Sequence, residues 1–196
     1  MGALLILTGI GVGCSVASQI ERSLLHRTAD ATALYVTGVV APHLQRLGSS
    51  DALPGGDAAH LADLLAIGPL GREIVSIKVW NARGRVILGT DPASVGRTFP
   101  VKTDLATAWR GSTFSRVSNL EDEENLGERV RASRLMETYT PVYSAGGDRV
   151  IAVVEFYQKA DALEAEILRI QLVTWLLLGA VVLLWAFFLA QEVLGR

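Results

Sequence analysis

"RLMETYTPVYSAGGDRVIAVVEFYQ", Arg134 to Gln158, decides the fold of this 196-residue chain. Two runs rich in β-branched and aromatic residues flank "AGG", where glycine supplies the backbone angles of a hairpin turn. Alternate side chains in a strand point to opposite faces. In the second run that rule puts Val150, Ala152, Val154 and Phe156 together, all apolar, and sends Glu155 and Tyr157 to the other side. The first run sorts Glu137, Tyr139 and Tyr143 in the same way.

The same pattern occurs upstream. "EIVSIKVWN" and "RVILGT" surround "ARG", whose Gly84 can take the positive φ of a tight turn. "GSTFSRVSNL" supplies a further strand, preceded by a short helix over "VKTDLATAWR". Five strands joined mainly by hairpins imply an antiparallel sheet with helices outside it, an α+β fold. Before the sheet, residues 18–47 place Ile20, Leu24, Ala31, Leu34, Tyr35 and Val39 near helical spacing. This predicts a long amphipathic helix that Pro42 kinks or restarts and Gly48 ends. A short helix is expected over "GGDAAHLADLLAIGPLG", residues 55–71.

The two faces of the sheet differ in chemistry. Val75, Ile77 and Val79 share one face of the first strand, and with Val150, Ala152, Val154 and Phe156 they form a dry seat for the long helix. The other face carries Ser76, Lys78 and Trp80, then Glu137, Tyr139 and Tyr143, then Glu155 and Tyr157. Aromatic rings interleaved with charges suit a small polar ligand. Solvated cross-strand pairs beside half-exposed tyrosines would give the same pattern. The connection from Thr90 to Arg110 is long enough to fold over this side. Within it, Arg97 offers a bidentate fork for a carboxylate, with Trp109 and Arg110 nearby in sequence. Alternatively, "GRTFP" closes the strand pair and packs Phe99 beneath it. The candidate ligand-binding residues are therefore Lys78, Trp80, Arg97, Glu137, Tyr139, Tyr143, Glu155 and Tyr157.

Both ends of the chain are apolar. Ile170 to Gln191 holds no charged side chain, enough at about 1.5 Å per residue to cross a bilayer core of about 30 Å. Trp175 and Trp185 stand near the ends of this run, where indole rings favour the headgroup region. Residues 1–20 are also uncharged, though weaker, and read as a first transmembrane helix, with a cleaved signal peptide as the alternative. Gly9 and Gly13 form a GxxxG pair there. The expected organisation is a first span at 1–20, a domain at 21–169, a second span at 170–191 and the start of a linker at 192–196. The helix over "KADALEAEILRI" runs into the second span without proline or an early glycine, so Lys159 to Ala190 forms a rod of about 48 Å.

Several chemistries find no support. The net charge of −2 gives no basic field for nucleic acid. The one cysteine, Cys14, lies in the first span, leaving the domain without a disulfide or a cysteine metal cluster. GxSxG, P-loop and HExxH motifs are absent, so no enzyme or cofactor is expected within these residues. His26, His43 and His60 fall in helical territory without ligand spacing. "EDEEN", Glu121 to Asn125, is too short for an EF-hand loop and reads as a solvated acidic turn.

"VSIKVWNARGRVILGTDPASVGRTFP" and "LMETYTPVYSAGGDRVIAVVEFYQKADALEAEI" together resemble the extracytoplasmic Cache-like sensor region of bacterial transmembrane histidine kinases, a PAS-like sheet behind a long helix. "ALYVTGVVAPHLQRL" and "EDEEN" fit the same group. The resemblance implies the input portion of a two-component receptor in the bacterial cytoplasmic membrane. Such a receptor is a homodimer, with its sensor outside and its ATP-binding kinase output not among these residues. Related cyclases and chemoreceptors share the domain. A membrane-anchored adaptor that binds an envelope protein is the competing expectation.

Overall fold

The computed structural model describes residues 25–50 and 74–194, together with residues 15, 18, 19, 22 and 23. The expected helix over 55–71, with His60, and the Gly9, Gly13 and Cys14 positions of the expected first span lie outside the described residues. Five strands form one antiparallel sheet: β1 (Ile74–Trp80), β2 (Val86–Gly89), β3 (Phe114–Ser118), β4 (Leu135–Tyr143) and β5 (Val150–Lys159). Their spatial order is β2-β1-β5-β4-β3. Because β2 and β3 occupy opposite edges, the chain between them must cross the sheet, and it does so through a helix at Thr103–Trp109.

The turns use glycine as the sequence requires. Gly84 sits at φ 75°, and its N–H donates to the Asn81 carbonyl at 3.1 Å. A Cβ there would meet the Phe99 carbonyl oxygen at 2.3 Å, so only glycine fits. Phe99 is buried, and Thr98 bridges to Arg85, so "GRTFP" closes the first strand pair.

One face of the sheet packs against the N-terminal helical segment. Residues 25–35 form helix α1, followed by a π-helical turn at Val36–Val40, helix α2 (Ala41–Leu44) and a 3-10 turn at Gln45–Gly48. Pro42 restarts the segment, standing in the first turn of α2. The helix widens one turn ahead of it, where the Ala41 N–H reaches back to the Val36 carbonyl, and in this way passes over the donor that proline lacks. The buried stripe is Ala29, Thr32, Val36, Val40, Leu44 and Leu47; of the predicted residues, Tyr35 packs against Phe156 at the edge of this core and Val39 is half-buried, whereas Ala31 is exposed and Leu34 is 76% exposed. Both stripes are apolar at helical spacing, so periodicity alone cannot tell which one meets the sheet.

The dry face also differs from strict alternation at two points. The pairing of β1 with β5 shifts between Ile74 and Ser76, and that of β4 with β5 between Val142 and Tyr143. Each bulge turns its strand end over. Val75 therefore packs with Leu120, Leu135 and Tyr157, and Val150 with Trp80 and Tyr139. Ile151 takes the expected place of Val150 in the helix-side core, beside Ile77, Val79, Val154 and Phe156.

The crossing helix Thr103–Trp109 is α3, and a short helix at Leu126–Arg129 is α4. The last element, α5 (Asp161–Leu194), is one unbroken helix of 34 residues. Its stretch Leu168–Phe187, 20 residues, is long and apolar enough to cross a membrane.

Candidate functional site

The second face of the sheet carries most of the candidate residues, and they come together in registered rows. Lys78 on β1 stands directly across from Glu155 on β5, which stands across from Tyr139 on β4. In the next row Ser76, Tyr157, Glu137 and Arg116 follow one another across β1, β5, β4 and β3. Alternation fixes this arrangement, since each residue is two positions from its row neighbour on the same strand.

The face is sealed. Lys78, Glu137, Glu155 and Tyr157 are each 0% exposed, and Ser76, Trp80 and Tyr139 are also buried. The predicted cover, the connection from Thr90 to Arg110, supplies Phe99 and the α3 residues Leu105 and Ala108, which pack with Trp80 and Tyr139. A second cover was not expected. Residues 119–132, hereafter the strap, lie across the other half of the face, and Leu120 and Ala132 close on Tyr157. The acidic run predicted as a solvated turn is thus partly interior. Glu124, Asn125 and Glu128 are buried, because Lys78 rises from the sheet beneath them and needs partners.

Lys78 is the hub. Its ammonium donates to the Glu124 carbonyl at 2.5 Å, to Tyr157 Oη at 2.9 Å, to Glu128 Oε2 at 3.0 Å and to Asn125 Oδ1 at 3.3 Å. Ser76 Oγ donates to the other Glu128 oxygen at 2.6 Å. Tyr157 Oη donates to Asn125 Oδ1 at 2.5 Å, and Asn125 Nδ2 donates to Glu137 Oε1 at 2.8 Å. Glu137 also accepts from Arg116 Nε at 3.0 Å, and the same guanidinium pairs with Asp104 at 3.0 Å. At the rim, Lys102 pairs with Asp122 at 2.5 Å and with Glu124 at 3.3 Å.

Burial and charge set the titration of these groups. Burial alone would lower the Arg116 guanidinium, but the carboxylates of Glu137 and Asp104 hold it above its ordinary value. Burial raises the Glu137 carboxyl, with Arg116 opposing. Tyr139 and Tyr157 lie well above the usual tyrosine range, through burial first and then the charge of Glu155. Glu155 differs from its neighbours. Its Oε2 accepts from the Trp80 indole at 2.8 Å, while its Oε1 has no hydrogen-bond partner. Burial pushes this carboxyl up to about 7, with Lys78 pulling it down and Glu137 adding to the rise.

Six of the eight candidates share this face: Lys78, Trp80, Glu137, Tyr139, Glu155 and Tyr157. Two stand apart. Tyr143 is 42% exposed and donates to the Gly111 carbonyl at 3.0 Å, and Arg97 is at the surface, paired with Glu123 at 2.7 Å. Arg116, Asn125 and Glu128 were not foreseen as members. Arg116 was legible, since alternation through "FSRVS" places it on the polar face. Asn125 and Glu128 were not, because a strap without strand or long-helix periodicity gives no sign of which residues turn inward. Among the described residues, no group of three or more His, Cys, Asp or Glu side chains could hold a metal ion.

No protein-family model and no curated protein matches the sequence. Solved structures do match its fold. The sensor domain of the histidine kinase DctB from V. cholerae superposes with a TM-score of 0.56 at 15% identity, over 83% of this chain and 58% of that one. This chain therefore spans little more than half the length of that sensor domain. The E. coli DcuS sensor domain gives a TM-score of 0.43 at 14% identity, over 76% of this chain and 98% of that one. The ligand-binding domain of the Pseudomonas aeruginosa PAO1 chemoreceptor PctC, solved with GABA, gives 0.43 at 19% identity, over 79% and 61%. The chain shares the fold of that DctB sensor domain, as the sequence resemblance implied.

Proposed function

We propose that this chain is the input portion of a bacterial membrane receptor, most simply a two-component sensor histidine kinase, that detects an extracytoplasmic cue at the buried polar face of its sheet. One observation carries the reading. Strand β5, which bears Glu155 and Tyr157, ends at Lys159, and the 34-residue helix with the membrane-length apolar run begins at Asp161. A shift of β5 is delivered to that helix over the shortest possible linkage.

In this reading the domain spans 21–169 and faces the outside of the cytoplasmic membrane, with spans at 1–20 and 170–191 in the bilayer. The receptor acts as a homodimer, for which the exposed Leu34 on α1 offers an apolar contact. Lys78, Trp80, Glu137, Tyr139, Glu155 and Tyr157 contact or respond to the cue, with Arg97 and Tyr143 at the margins. The cue is a small polar solute or an envelope protein. It biases the receptor only through a difference in its affinity for two states of the domain. The catalytic step belongs to a kinase module on the cytoplasmic side.

The test is a chimera in which residues 1–196 precede the cytoplasmic module of a histidine kinase with a transcriptional reporter. A panel of organic acids, amino acids and amines is supplied outside the cells. At least one solute should change reporter output by several-fold, and Tyr139→Ala should abolish the response. Insertion of two glycines beside Leu168 should also abolish it, because the helix would no longer transmit as a rod. A flat panel together with an envelope protein that co-purifies with the chain would favour the adaptor instead.

A further inference from the structure

Four carboxylates of the described residues are buried on the polar face, Glu124, Glu128, Glu137 and Glu155, and three of them have a cation, Glu124 through Lys102 at the rim. Glu128 receives Lys78 and Ser76, and Glu137 receives Arg116 and Asn125. Glu155 receives only neutral donors: the Trp80 indole donates to one oxygen, and the Tyr139 and Tyr157 hydroxyls beside it favour the ionised form less than burial opposes it. An ionised carboxylate so poorly served is costly to bury, whereas its neutral acid is not. Glu155 and its neighbours Lys78 and Tyr157 are 0% exposed, so the occupant that neutralises it must be small.

We propose that Glu155 is a proton-binding site, and that its ionisation state sets how firmly the strap is latched to the sheet through Lys78. The two states differ in what Lys78 serves. When Glu155 is ionised, its charge lies directly across the ladder from Lys78 and competes with the strap's Glu128, Glu124 carbonyl and Asn125 for the one buried ammonium. When Glu155 is protonated, that competition ends and Lys78 belongs to the strap. The other groups facing Glu155 do not reverse this order. From β4, Tyr139 stays neutral, while Glu137 adds negative charge that favours protonation. From β5, Tyr157 stays neutral. From β3, Arg116 is engaged by Glu137 and Asp104, and from α3 Leu105 and Ala108 are apolar. At the rim, Asp122 is held below its ordinary value by Lys102 and stays charged.

The sign follows from the position of the carboxyl. With Glu155 pushed up to about 7 from an ordinary 4.5, the proton binds the folded, latched state more tightly than the unfolded chain. Its stabilisation is complete below about 4.5 and is lost as pH rises through about 7. Mild acid latches the strap, and mild alkali loosens it.

The experiment uses the full chain in lipid nanodiscs. Carboxyl-labelled glutamate is titrated by carbon NMR from about pH 5 to about pH 8.5, a window that spans the shifted carboxyl, and Glu155→Gln identifies the Glu155 signal. Hydrogen exchange of residues 119–132, corrected for the intrinsic pH dependence of exchange, reads the latch. One glutamate should titrate near neutrality, and strap exchange should be at least roughly tenfold faster at the alkaline end, a part of the linkage available to a carboxyl moved from 4.5 to about 7. Glu155→Gln should hold the strap at its slow rate throughout. Glu128→Gln should keep the titrating carboxyl but lose the strap's pH response. The proposal is overturned if no glutamate titrates in that window, or if Glu155→Gln retains the wild-type exchange profile. Should Glu155→Gln fail to fold, Glu137→Gln assigns the signal by exclusion, and wild-type strap exchange that does not change across the window overturns the proposal. The outcome is separate from the receptor reading, because the chimera can respond to a solute with Glu155 silent.

Discussion

At the scale of single residues, the polar face depends on Lys78. It is the one fully buried cation among the described residues and binds four partners drawn from two segments. A buried ion pair adds little net stability over a well-packed apolar substitute, but removing one member strands the other. Lys78→Met should therefore cost about 3–5 kcal/mol, because Glu128 is left as an uncompensated buried charge. Lys78→Met combined with Glu128→Leu should recover most of that loss. Thermal unfolding followed by tryptophan fluorescence, to which the buried Trp80 contributes, measures both. If the double variant were no more stable than the single one, Glu128 would not be the group that Lys78 compensates.

At the scale of elements, the strap is docked by shape as well as charge. Leu120, at its entrance, holds φ 59° although it is not glycine, a conformation that costs leucine energy and persists only when its surroundings impose it. Ser118 Oγ accepts its N–H at 3.1 Å, and Arg129 donates to its carbonyl at 2.8 Å. Further along, a Cβ on Gly127 would lie 2.5 Å from Asp91 Oδ2 and 2.8 Å from Asp91 Cγ. Asp91 cannot swing away freely, because its other oxygen accepts the Ala93 N–H at 3.0 Å. Gly127→Ala should cost about 1–3 kcal/mol by overpacking this contact, and much less in an Asp91→Ala background. Equal costs in the two backgrounds would show that the strap does not bear on Asp91.

The elements also show how far the sequence could be read. Alternation in "EIVSIKVWN" and "RVIAVVEFYQ" placed Lys78, Trp80, Glu155 and Tyr157 on one face correctly, because a strand in a two-sided sheet obeys a period of two. It failed at Val75 and Val150, where bulges insert one residue and invert the strand end, and nothing in two runs of β-branched residues marks where a bulge falls. It failed for the long helix for a different reason, since Leu34 and Val36 are equally apolar and only the sheet decides between their stripes. The strap was misjudged because acidic residues usually face water, and a buried lysine two strands away reverses that preference.

At the scale of the whole molecule, the chain carries an antiparallel sheet with a sealed polar face and a single long helix. Helix α5 has 34 residues, about 51 Å at standard rise, longer than the hydrocarbon core needs. In its apolar stretch Leu168–Phe187, Trp185 is exposed near the C-terminal end, where an indole suits a headgroup layer, while the exposed Trp175 lies about 15 Å away along the helix and falls inside the span. Side-specific labelling asks whether the domain lies outside the cytoplasmic membrane and the rod crosses it. With Cys14 replaced by serine, single cysteines are placed at Ser112, exposed on the domain, and at Gln191, exposed near the end of the rod. Spheroplasts are then treated with a membrane-impermeant maleimide. The account predicts that Ser112→Cys reacts in intact spheroplasts and Gln191→Cys only after lysis. Equal labelling of both sites without lysis, or recovery of the chain in the soluble fraction, would contradict it.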